Sequence, residues 1–229
     1  MKKLTVSMTR AEIILGLSYI GIQILLLPSI LLFGNHFFGN PLTEAQLNFL
    51  FFAIDFICIV AIFRKFLKNC AICALEHPWR LLRYAGCGLL LYWLGNFLVS
   101  FIILNVYPDF SNVNDQSILE LTRENYTLMA IGTVFLVPVV EETLYRGVIF
   151  GTLYRFHPFV GYLVSTLVFG ALHVINYIGR FSSMHLFLCF LQYIPAGLCL
   201  AWAYVRSDSI WAPILMHIAI NQIGVLSMR

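Results

Sequence analysis

From Tyr84 to Val106 the chain runs for 23 residues without a formal charge or a proline. A stretch of that length crosses the roughly 30 Å hydrocarbon core of a bilayer as a helix. Comparable stretches recur at Ala11 to Phe33, Leu47 to Phe63, about Thr127 to Arg155, Phe159 to Ile178, Met184 to Val205 and Ile210 to Met228. They are continuous rather than alternating, which selects helices over a barrel, the other architecture that satisfies every backbone polar group in lipid. A composition 60% hydrophobic and 11% charged agrees, because a soluble domain needs more polar surface. The sequence predicts an all-α polytopic bundle of about seven transmembrane helices, forming one membrane domain over residues 1–229. No repeat or linker marks a second domain. A net charge of +3 gives no footing for nucleic acid.

The connectors set the expected orientation. Residues 64–83 carry Arg64, Lys65, Lys68, Arg80 and Arg83 against the single acid Glu76. The first connector, Gly34 to Gln46, has only Glu44, and the third has Asp109, Asp115, Glu120 and Glu124 against Arg123. The positive-inside rule then places the N-terminus and residues 64–83 in the cytoplasm. Arg229, outside, runs against that rule. Met1-Lys2-Lys3 is basic, but the apolar run after it is long enough to span, so it reads as a retained first helix. Pro28 predicts a kink, and the Trp79 region is expected along the interface. Cys70-Ala-Ile-Cys73 is a lone C-x-x-C, and all six cysteines read as reduced thiols.

Against this apolar background stands Glu141-Glu142-Thr143-Leu144-Tyr145-Arg146. Three unpaired charges facing lipid would cost on the order of 8–10 kcal/mol, so they must face protein or a wet cavity. Glu142 and Arg146 are four residues apart, acid first, the favourable order for an ion pair on one helix face. Glu141 is left without an obvious partner and can serve as a proton carrier. Glu141 and His173 are each sixteen residues from His157 at a turn, so an antiparallel hairpin puts both at one depth, about 24 Å along the helix. His217 and Asn221 lie one turn apart on the last span, roughly 14 and 20 Å from Asp208, near the same level. Four polar groups from three helices thus converge. Asp55, alone in the second span, reads as a hydrogen-bonded structural acid. Gly147 and Gly151 read as a packing surface, and His36, His77, His157 and His185 as solvated.

Glu141-Glu142-x-x-x-Arg146, Phe169-x-x-x-His173 and His217-x-x-x-Asn221, the last led in by Ser209-Ile-Trp-Ala-Pro213, resemble the three-motif signature of the CPBP family. That family comprises type II CAAX prenyl endopeptidases, bacterial Abi proteins and bacteriocin-processing or immunity proteins. The resemblance covers residues 127–226. It implies an intramembrane endopeptidase, with Glu141 and His173 activating water, His217 and Asn221 forming the oxyanion hole, and Glu142 and Arg146 ordering the site. It implies no required cofactor but leaves zinc open, with Glu141, His173 and His217 as its ligands, because the family has been described as both glutamic and metalloproteases. The implied partner is a membrane-associated peptide or protein, cut near the cytoplasmic side of a prokaryotic cell membrane for maturation, bacteriocin immunity or signalling. Two rival expectations are a non-catalytic modulator that binds a partner such as a sensor kinase, and a proton relay or transporter.

Overall fold

A computed structural model describes residues 4–228; Met1-Lys2-Lys3 and Arg229 lie outside the described residues. Among the described residues it is helical throughout: α1 (Arg10–Phe37), α2 (Glu44–Glu76), α3 (Pro78–Val106), α4 (Val113–Glu124), α5 (Tyr126–Phe156), α6 (Pro158–Tyr177), α7 (Ser183–Ser207) and α8 (Trp211–Ser227). Six are long and apolar enough to cross a membrane, and α8 is a shorter apolar helix of 17 residues. The protein is an integral multi-pass membrane protein. The remaining helix, α4, is largely polar.

Half of the apolar window of α5 is buried against protein, compared with 11–17% in α1, α2 and α3. The first three helices therefore give most of their apolar surface to lipid; α1, α2, α4, α6 and α8 pack on α5, whereas α3 packs on α7 and α8. Neighbouring helices approach closely through small residues, as membrane bundles require. A Cβ on Gly197 of α7 would sit 2.7 Å from Thr166 Cγ2 and 3.0 Å from Thr166 Cα on α6, so only glycine allows that spacing. Gly147 of α5 packs against Met8 and Phe66, the structural role expected of it.

Proline shapes two spans in the same way. A π-helical turn, Ile22–Leu26, immediately precedes the segment that begins Leu27-Pro28, and another, Gly132–Leu136, precedes Val137-Pro138. Proline has no N–H and its ring collides with the carbonyl four residues back. A wider turn there opens the ladder without ending the helix. The kink expected at Pro28 is thus a π turn placed just before it. In α2 the backbone leaves helical geometry at Phe63 (φ −101°, ψ 16°), the residue before the basic Arg64-Lys65 pair. Residues 64–76 continue α2 beyond this break instead of forming a separate interfacial helix.

The end carrying the basic residues is tied together by Asp208, which sits in the left-handed region (φ 65°) at the α7–α8 corner. Its carboxylate accepts from the Thr5 N–H (2.8 Å) and the Thr5 hydroxyl, with Arg80 at 3.9 Å. The Ser209 hydroxyl donates to the Cys70 carbonyl (2.9 Å) and the Trp211 indole to the Leu67 carbonyl (3.2 Å). Cys70 and Cys73 are free, buried thiols within this packing. His185 differs from expectation. It is half-buried, and its Nε2 lies 3.0 Å from the Ser111 carbonyl, because the start of α7 packs under the residues leading into α4.

Candidate active site

Glu142 and Arg146 of the first motif lie on a nine-residue π-helical segment of α5, Glu142–Phe150, and Glu141 is the residue just before it. A π turn carries one more residue per hydrogen-bonded loop than an α turn, and such segments gather at functional sites. Here Glu142 and Arg146 are completely buried. Arg146 Nη1 donates to Glu142 Oε1 at 3.1 Å, which is the pairing their spacing predicts. The guanidinium also stacks over the Phe169 ring, 4.2 Å from its centroid, so the ring's π face supports the cation on a second side.

Glu142 has a second partner that helix spacing did not reveal. His217 Nδ1 lies 2.7 Å from the same Oε1. This contact orients the ring and leaves His217 Nε2 facing Glu141, whose Oε2 is 4.0 Å away. Glu141 Oε2 itself has no hydrogen-bond partner in the structure. The adjacent glutamates have therefore diverged: Glu142 is a buried anchor, and Glu141 faces a cavity.

His173, from α6, has Nδ1 2.8 Å from the Phe169 carbonyl one turn earlier. A carbonyl only accepts, so Nδ1 carries the hydrogen, and the neutral ring presents a bare Nε2 as an acceptor. Tyr193 of α7 stacks on the imidazole with centroids 4.2 Å apart, holding its plane. Asn221 of α8 donates one amide hydrogen to the Thr133 carbonyl (2.8 Å) in the π turn of α5. Its other amide hydrogen remains available.

Glu141, His173, His217 and Asn221 all line one cavity of about 1010 Å³, so these polar groups from three helices face a common space. Asp55 lines it too, held by the Tyr19 hydroxyl (2.7 Å) and Gln23 Nε2 (2.8 Å) as a hydrogen-bonded acid. The sequence gave no sign of Tyr193, which lies in an apolar span outside every motif, or of Asp115, which looked like one acid among several in a connector. Asp115 on α4 faces the cavity beside His173. Desolvation by the surrounding walls pushes its carboxyl above the ordinary carboxylate range, and the nearby His173 opposes that shift.

Zinc needs three protein ligands within about 2.0–2.2 Å of one point. Among the described residues, no three His, Cys, Asp or Glu side chains are grouped so as to hold an ion. Glu141, His173 and His217 share the cavity without forming such a set as they stand.

Comparisons with known proteins bear on the same segment. Residues 123–223 match the family described as Type II CAAX prenyl endopeptidase Rce1-like. A Bacillus subtilis (strain 168) protein named "Putative membrane peptidase YdiL" is 32% identical over 114 residues, 49% of this chain and 42% of that protein. An Escherichia coli protein named "Uncharacterized 24.3 kDa protein" is 31% identical over 103 residues, 43% of this chain and 44% of its own length. The chain thus spans less than half the length of these curated relatives. No solved structure matches it. The matched residues 123–223 hold every member of the Glu–His–Asn cluster, and it is through this segment that the chain is similar to the Rce1-like type II CAAX prenyl endopeptidases.

Proposed function

We propose that the protein is an intramembrane endopeptidase that hydrolyses a peptide bond of a membrane-associated protein or peptide by a glutamate-dependent, metal-free route. The observation that carries this reading is the unpartnered Glu141 carboxylate opposite His217 Nε2 at 4.0 Å, with His217 fixed from behind by Glu142.

In this reading a water between Glu141 and His173 gives up a proton to the Glu141 carboxylate while its second hydrogen is held by His173 Nε2. The water oxygen bonds to the substrate carbonyl carbon, and the carbonyl π pair moves onto oxygen. That oxyanion receives hydrogen bonds from His217 Nε2–H and from the free amide hydrogen of Asn221. With His217 protonated, both of its ring nitrogens donate, and Glu141, Glu142, Arg146 and His217 sum to zero charge. Neutrality matters because isolated charge at this depth is expensive. Collapse of the intermediate breaks the C–N bond, and Glu141 returns its proton to the leaving amine.

Substrates in peptide maturation, bacteriocin immunity or signalling fit this chemistry. The test compares protein termini in host membranes carrying wild type or Glu141→Gln at matched expression. New termini with wild type alone support the protease. Identical termini, with both forms rescuing a deletion strain equally, would overturn it in favour of a modulator that binds a partner. For the metal-free route, exhaustive chelation of the purified protein is expected to leave cleavage unchanged; loss of cleavage restored by zinc would refute it.

A further inference from the structure

The cavity is one-sided. Its walls come from the second half of α1, the first halves of α2 and α5, the middle of α3, the last parts of α6 and α8, Arg180 and one face of α4. No wall residue falls before residue 23, or within 56–91, 146–171 or 181–216. Apart from Arg146, which is buried in the site, those omitted internal segments carry Arg64, Lys65, Lys68, Arg80, Arg83, Arg155 and Arg206. The connectors on the cavity's side, residues 38–43, 107–125 and 178–182, carry only Arg123 and Arg180. The bias of seven basic residues at the helix ends away from the cavity to two in the connectors on its side is independent of either terminus. Basic residues in short connectors stay on the cytoplasmic side of a membrane.

We infer that the site is loaded from the non-cytoplasmic face, past α4, and that its substrates are peptides or juxtamembrane segments presented outside the cytoplasm. This replaces the expectation of a cut near the cytoplasmic side. That expectation rested on the carboxylate–histidine cluster and the family resemblance, neither of which shows which halves of the helices enclose the open space. The surface at the mouth fits the assignment. α4 is the polar helix of the bundle and lies over the cavity, and its N-cap Asn112 is held to Gln192 (2.9 Å) and Tyr193 (3.2 Å) of α7. A peptide arriving from water meets Asp115 and Arg180 before it reaches His173. Bonds lying only in cytoplasmic segments are out of reach.

The inference rests on the endopeptidase reading for its substrates, but its test separates the two. Ser183→Cys at the start of α7 beside the cavity, Ser117→Cys on α4 and Glu76→Cys at the basic end are each treated in intact cells with a membrane-impermeant maleimide, wild type giving the background of native thiols. Labelling of the first two in intact cells, and of Glu76→Cys only after permeabilisation, is the expected result. The reverse pattern overturns the inference. Repeating the labelling on Glu141→Gln gives a readout independent of catalysis. Termini that differ between wild type and Glu141→Gln must then map to extracytoplasmic segments, and cuts confined to cytoplasmic segments refute outward loading even if labelling is as expected. If no termini differ, the protease reading fails while the labelling still decides the side of access.

Discussion

Replacing Glu142 by Gln leaves the buried Arg146 guanidinium and the His217 Nδ1–H sharing a carboxamide where a carboxylate held both. Removing one partner of a buried ion pair costs about 3–5 kcal/mol, so thermal unfolding of Glu142→Gln is expected to begin well below wild type, with cleavage lost as well. Glu141→Gln removes a carboxylate whose Oε2 has no partner. It is expected to abolish cleavage while shifting stability by under about 1 kcal/mol. Comparable melting of both variants would refute this division of labour. Asp55 gives a second contrast. In Asp55→Asn the Gln23 amide can rotate, because its Oε1 is otherwise unpartnered and can accept from the new amide. Asp55→Val strands the Tyr19 hydroxyl and Gln23 without an acceptor, at about 1–3 kcal/mol for each buried group. Melting curves of the two variants in the same detergent measure the difference. The spacing rule for helices found Glu142–Arg146 but missed Glu142–His217. That contact depends on how α5 and α8 are rotated, and the π turns alter the angular phase that a helical wheel assumes.

Between elements, the α6–α7 contact is the tightest constraint on the site, since α6 carries His173 and α7 carries Tyr193. Gly197→Ala pushes a methyl group to within 3.0 Å of the Thr166 backbone. Overpacking of this kind costs about 1–3 kcal/mol, and here it also separates His173 from Tyr193. A lower melting temperature with a disproportionate loss of cleavage is expected, whereas an unchanged variant would show that the helices slide freely. The six long apolar helices, the shorter apolar α8 and the break at Pro28 were legible in sequence, because length and apolarity dictate the first two and the missing N–H the third. The continuation of α2 through residue 76 was not, since the basic run after Phe63 marks where a span ends and does not show whether the helix stops. Tyr193 was equally hidden, as an aromatic ring in an apolar span looks the same whether it meets lipid or an imidazole.

At the scale of the whole molecule, Asp208 joins the segment before α1 to the α7–α8 corner. Asp208→Gly keeps the left-handed turn without steric cost while deleting the bonds to Thr5 and Arg80. It is expected to expose residues near Thr5 to added protease without altering cleavage chemistry; unchanged protection would show that the clasp contributes little. The length of α8 carries a different consequence. Its 17 residues rise about 26 Å, several ångströms less than an average hydrocarbon layer, whereas α2 and α3 contain 33 and 29 residues. Lipid beside α8 must thin to match it, as bilayers do around short helices. The helix that holds His217 and Asn221 therefore draws the headgroups inward, and the rate in bilayers of shorter acyl chains should exceed that in longer ones, with membrane thickness itself acting as a control on turnover.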